Sequence, residues 1–197
     1  MNWLAHAFLS GPDIEFRLGN LLADIVKGRD RAGMSANFLR GVQRHQVIDA
    51  FTDSHPLVYR SRARIGGDYR QVKGILVDVF YDHFLAIDWD QYASEPLEDF
   101  TTCLYTEIRA HAIALPEPAQ AAVDQMICED RLGSYRRIEG IEASLRRVST
   151  RLSARVGKGF ALEKAVSELL ANFDGLKDDF AVFFPALQAH VGESPDA

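Results

Sequence analysis

Apolar positions recur at helical spacing through most of this chain, and no segment sustains the two-residue alternation of a half-buried strand. Long proline-free stretches rich in Ala, Leu, Arg and Glu favour helix. Their joins are marked by Arg29-Asp30-Arg31-Ala32-Gly33, Gly66-Gly67-Asp68 and Ser94-Glu95-Pro96. The pattern predicts helices over about 2–10, 14–27 and 34–53, a short one after Pro56, and further ones over about 69–88, 96–113, 117–130, 134–156 and 160–189. The last is expected to break near Asn172-Phe173-Asp174-Gly175. With no repeat, linker or low-complexity tract, the expected fold is one all-α helical bundle spanning residues 1–197.

One predicted helix is apolar all round. In Ile75-Leu76-Val77-Asp78-Val79-Phe80-Tyr81-Asp82-His83-Phe84-Leu85, side chains about 100° apart leave no polar face, so the helix is expected to be buried. It nevertheless carries Asp78, Asp82 and His83, and the two acids, four residues apart, share a face. A buried carboxylate must be paired, protonated or bound to a cation. The helix at about 34–53 repeats the pattern: Phe38, Val42, His45 and Asp49 form one stripe that begins apolar and ends in an imidazole and an acid, with Thr52 and Asp53 beyond. Apolar neighbours also surround His6 in the first helix and Asp24 in the second.

Each of these residues has a plain reading of its own. His6 can be a satisfied core or capping histidine, Asp24 a buried acceptor, His45 and Asp49 an intrahelical pair, and His55 only a helix end. Four helices bringing such groups into apolar surroundings together point to a metal or catalytic cluster. The donors are nitrogen and carboxylate oxygen without thiolate, which suits manganese, magnesium, iron or zinc in a hydrolytic site. Groups that do not bind the ion would orient ligands or act as general base.

Charge and composition narrow the classes. Lys+Arg is 22 and Asp+Glu is 28, a net charge of −6, which argues against a nucleic-acid binder. No apolar run approaches a membrane span, and the N-terminal segment lacks the basic lead of a secretory signal, so a cytoplasmic protein is expected. Cys103 and Cys128 are read as two buried thiols in a reducing compartment. Neither G-x-x-x-x-G-K-[ST] nor G-x-S-x-G occurs. Basic residues cluster at Arg60, Arg62 and Arg64, at Arg70 and Lys73, and at Arg136, Arg137, Arg146, Arg147, Arg151 and Arg155, either as solvated helix faces or as docking points for an anionic partner.

At Met1-Asn2-Trp3-Leu4-Ala5-His6, Gly19-Asn20-Leu21-Leu22-Ala23-Asp24, His45-Gln46-Val47-Ile48-Asp49 with Thr52-Asp53, and Leu76 to Leu85, the chain resembles the acyl carrier protein phosphodiesterase family. These blocks keep order and rough spacing over about the first 90 residues. That family is similar to the HD-type metal-dependent phosphohydrolases, but the doublet here is Asp82-His83, in reversed order. The resemblance implies an HD-like bundle that removes the 4′-phosphopantetheine arm from holo-acyl carrier protein. It also implies a divalent cation, manganese first, with magnesium or iron as alternatives. On this reading His6, Asp24, His45, Asp78, Asp82 and His83 are the candidate metal ligands. Asp24 or Asp49 is the candidate proton acceptor, and His6 or His83 the candidate proton donor. Arg60, Arg62 and Arg64 are the candidate docking points for an acidic carrier protein. Two other readings compete: a phosphohydrolase of small nucleotides, and a non-enzymatic helical interaction module whose buried acids are structural.

Overall fold

The computed structural model describes residues 1–111 and 113–193. Among these there is no strand. The helices follow in order as α1 (Trp3–Phe8), α2 (Ile14–Leu22), α3 (Ala36–Ser54), α4 (Pro56–Arg64), α5 (Lys73–Ile87), α6 (Leu97–Ala110), α7 (Glu117–Cys128), α8 (Arg131–Ser134), α9 (Ile138–Val156), α10 (Val166–Ala171) and α11 (Phe173–Gly192). Short 3₁₀ turns cover Gly28–Gly33, Gly67–Tyr69, Trp89–Gln91 and Leu162–Ala165. The break expected near 172–175 falls at Asn172, between α10 and α11. The helix expected over 96–113 ends at Ala110, and residue 112 is outside the described residues.

The starts of α2 and α3 are set by short polar side chains that accept orphan amides of the first turn. Asp13 accepts from Phe16 N at 2.8 Å, and Ser35 accepts from Phe38 N at 3.1 Å. α5 is the central element, with Leu76, Val77 and Val79 through Ala86 buried, as an all-round apolar helix requires. Phe180, Phe183, Phe184 and Leu187 of α11 complete the core on one side. The thiols depart from expectation: Cys103 and Cys128 are free and exposed, because each sits on the outward face of an amphipathic helix, α6 or α7.

The feature that positions the site is the crossing of α2 and α3. A Cβ placed on Gly19 would sit 2.0 Å from Phe38 O, and one on Gly41 would sit 1.9 Å from Phe16 O and 2.8 Å from Asn20 N. The two helices therefore meet backbone to backbone at two glycines, closer than any other residue allows. α2 then ends at Leu22, five residues short of the expected end, and beyond it the Arg31 side chain folds back and donates to Ala23 O at 2.7 Å and Val26 O at 2.8 Å. The Gly41→Ala variant is expected to push α2 off α3 and to lower the unfolding free energy by about 1–3 kcal/mol or more, the range for overpacking a tight interior. Urea denaturation of the variant beside the parent checks this.

Candidate metal and catalytic site

Asn20 makes the geometry of the site. Its backbone carbonyl lies 2.8 Å from His45 Nδ1, and its side-chain Oδ1 lies 2.8 Å from His6 Nδ1. Its Nδ2 donates to His6 O at 2.9 Å and to Ser10 Oγ at 2.8 Å, which fixes the orientation of the amide. A carbonyl only accepts, so both imidazoles carry their proton on Nδ1 and turn the Nε2 lone pair away from Asn20. The two rings stack, with centroids 4.1 Å apart and planes at 18°. Both Nε2 atoms are aimed at one carboxylate, Asp49: His6 Nε2 is 3.3 Å from Oδ1 and His45 Nε2 is 3.0 Å from Oδ2.

Three acceptors thus face one another. His6 Nε2, His45 Nε2 and Asp49 Oδ1 are buried without a hydrogen-bond partner. Donor atoms of His6, His45 and Asp49 all lie within 4.8 Å of one another. Positive charge resolves such a convergence, either as protons on the rings or as a bound cation. Burial works against ionised Asp49, but hydrogen bonding from His45 and His6 and the nearby amino group hold its pKa well below the usual carboxylate range. Burial likewise opposes the charged form of His45, yet Asp49 and the Asn20 carbonyl raise its pKa overall. For His6, burial wins with help from the neighbouring His45 charge, and its pKa is lowered. The donor set, two neutral-capable imidazoles and a carboxylate held charged, fits a divalent transition metal such as manganese. Asn20 plays the orienting part usually found behind metal-bound histidines.

The other predicted residues divide. Asp78 stands beside the cluster, with Oδ1 3.2 Å from the Met1 amino group, which is itself 3.5 Å from Asp49 Oδ1. Asp24 is exposed rather than buried, because α2 ends before it. It approaches His45 Nε2 at 3.8 Å and Lys27 Nζ at 3.3 Å. Asp82 is fully buried but outside the cluster. Its two oxygens accept from Leu4 N at 2.7 Å and Ala5 N at 3.2 Å, supplying the cap that Asn2 does not give α1. Burial pushes the Asp82 pKa up to about 7, against the pull of those two amides. His83 is also remote: Nδ1 donates to Tyr135 O at 2.8 Å, and the ring packs near Phe84 and Phe173. The Asp82-His83 doublet is therefore split between two structural tasks, and neither residue shares the site.

The three arginines expected to dock a partner are engaged within the chain. Arg60 and Arg64 both clamp the buried Asp179 of α11, Arg64 Nε at 3.2 Å, and Ser61 Oγ adds a bond to the same carboxylate at 2.9 Å. Arg62 pairs with Asp53 at 2.5 Å. These contacts latch α4 to α11 and to the end of α3.

The imidazoles form the floor of a cavity of about 340 Å³. One wall holds Asp24, Ile25 and Lys27, another Ile75, Asp78 and Val79 of α5, and the third Val148, Arg151, Leu152 and Arg155 of α9. The cavity thus offers an apolar wall, a cationic rim and an imidazole floor. Asn20 was not singled out as functional from the sequence, although the signal existed: a buried amide between Leu18 and Leu21-Leu22, in the same setting that drew attention to His6 and Asp24.

Comparison with known proteins bears on what this cavity does. The family model described as Acyl carrier protein phosphodiesterase matches residues 1–187. A protein of Yersinia pestis with that name is 32% identical over 191 residues, 95% of each chain. One from Photorhabdus laumondii is 36% identical over 121 residues, 61% of each chain. One from Escherichia coli is 30% identical over 191 residues, again 95% of each. No solved structure matches the chain, and among the described residues no helix is long and apolar enough to cross a membrane.

The imidazole–carboxylate geometry has a pH signature. A histidine whose pKa is raised on folding adds stability that is complete below its unfolded value of 6.5 and is lost as pH rises through the folded value. In Asp49→Asn, measured in EDTA, the His45 titration midpoint is expected to fall. The stability gap between parent and variant should be larger at pH 6 than at pH 9. Histidine NMR titration and urea unfolding at the two pH values check both.

Proposed function

Because this chain belongs to the acyl carrier protein phosphodiesterase family, we propose that it hydrolyses the phosphodiester of holo-acyl carrier protein to give apo-protein and 4′-phosphopantetheine. The observation that carries the reading is the convergence of two Asn20-oriented imidazoles on the Asp49 carboxylate at the floor of a cavity. His6 Nε2, His45 Nε2 and Asp49 would hold one divalent cation, with manganese the first choice. When bound, that cation supplies positive charge against the phosphodiester and acidifies water at the site.

The chain's own residues supply the rest. Asn20 keeps both Nδ1 atoms protonated, so the Nε2 lone pairs stay available as donors. Asp49 is a poor base, since the neighbouring imidazoles hold it ionised at low pH. Asp24, exposed at the cavity mouth and 3.8 Å from His45 Nε2, is the better-placed proton acceptor. In the net reaction, water oxygen bonds to phosphorus, the bond from phosphorus to the carrier-protein serine oxygen breaks, and the proton removed from water is returned to that oxygen. Apolar Ile75, Val79, Val148 and Leu152 shield one side of the cavity from solvent and offer a surface to the uncharged length of the arm. The free thiols Cys103 and Cys128 fit the reducing cytoplasm, the compartment we propose for the reaction.

The test is a mass-shift assay of holo-acyl carrier protein incubated with the protein and manganese, with a nucleotide panel run in parallel. Loss of the arm, abolished by EDTA and reduced by at least about a hundredfold in a folded Asp24→Asn protein, is the expected result. Intact holo-protein together with turnover of a nucleotide would replace this reading with the small-nucleotide one.

A further inference from the structure

Several arginines are neutralised by the chain itself: Arg60 and Arg64 by Asp179, Arg62 by Asp53, and Arg147 by Glu129 at 2.7 Å. The two arginines that line the cavity are not. Arg151 and Arg155 continue the i, i+4 stripe that Arg147 begins on α9, and both are exposed. Among the described residues neither guanidinium makes a hydrogen bond or ion pair. Both line the cavity whose floor is His6 and His45. Val148 and Leu152, on the same face of α9, line it too.

Charge in this cavity is therefore segregated. Carboxylates of Asp24 and Asp78 gather on the side of α2 and α5, where a cation is wanted, and uncompensated guanidinium groups stand on α9. Two like charges one helical turn apart repel each other, a cost that a solvated face would ordinarily relieve with a nearby Asp or Glu. An anion shared between them removes the repulsion. The planar fork of arginine matches a phosphate in particular, with paired N–H donors set at oxygen spacing.

We infer that Arg151 and Arg155 form the phosphate-recognition element of this cavity. They grip the phosphate of the phosphopantetheine group while its uncharged chain lies on Val148 and Leu152. The identity of the ligand rests on the hydrolase reading above, but the anion site itself is argued from the unpaired guanidinium groups. The two arginines bind; the reacting atoms are served by the floor of the cavity.

The experiment is isothermal titration calorimetry of the full chain in EDTA, where no added cation contributes, with 4′-phosphopantetheine and with pantetheine, which lacks the phosphate. The parent is expected to prefer the phosphorylated compound by about tenfold or more, the effect of one to two charge-assisted contacts. The double variant Arg151→Gln/Arg155→Gln should lose that preference and raise KM for holo-acyl carrier protein by a similar factor. Arg151→Lys/Arg155→Lys should keep part of it. Arg146→Gln, which removes one positive charge from the same helix at an exposed Glu142 pair, should change nothing. A preference for the phosphorylated compound that survives the glutamine pair, or none in the parent, overturns the inference. Should the mass-shift assay fail while this preference is present, the hydrolase reading falls and the phosphate site stands.

Discussion

The site depends on the grip of one buried residue on two imidazoles. Asn20 uses its backbone carbonyl for His45 and its side-chain carbonyl for His6, so two rings from helices far apart in sequence are turned the same way. That double contact needs the α2 backbone within hydrogen-bonding reach of the α3 side chains. The Gly19 and Gly41 crossing provides it, because any Cβ there would collide with backbone. Two glycines thus decide the distance between helices, and that distance decides the tautomer of two histidines. The lone pairs this frees converge on a carboxylate, an arrangement that positive charge satisfies.

The remaining charged groups hold the frame around that centre. Asp82 reaches from α5 to the first amides of α1 and so sets the helix that carries His6. Asp179, fully buried, draws Arg60, Arg64 and Ser61 of α4 onto α11, and Tyr81 of α5 joins through its hydroxyl at 2.8 Å from Ser61 Oγ. A buried carboxylate is costly when isolated, and each of these is answered by several donors. The acids therefore sort by what answers them: amides for Asp82, guanidinium groups for Asp179, and two imidazoles with the Met1 amino group for Asp49. Only the last faces buried imidazole nitrogens that have no hydrogen-bond partner of their own.

Helix period was enough to read the all-α fold and the buried course of α5 from the chain, and to place His45 and Asp49 on one stripe with Phe38 and Val42. It was enough too to suspect His6. Period says which side of a helix faces inward, but not what waits there. Asp82 and His83 do face inward, yet what meets them is the α1 backbone 78 residues away in sequence and the Tyr135 carbonyl 52 away. Arg60 could not be read as a latch, since Asp179 lies 119 residues downstream. Asp24 departs from expectation for a local reason: α2 ends at Leu22, before it, and the acid turns outward. Asn20 was passed over because an amide carries no charge to flag it, although it organises more of the site than any acid does.

We propose that His6, His45 and Asp49 jointly bind a cation. Anomalous diffraction from crystals equilibrated with manganese tests it most directly. One strong manganese peak coordinated by His6 Nε2, His45 Nε2 and an Asp49 oxygen is expected, with Asn20 still bonded to both Nδ1 atoms. A peak ligated by Asp82 or His83, or no peak among the three named donors in crystals saturated with the ion, would contradict it.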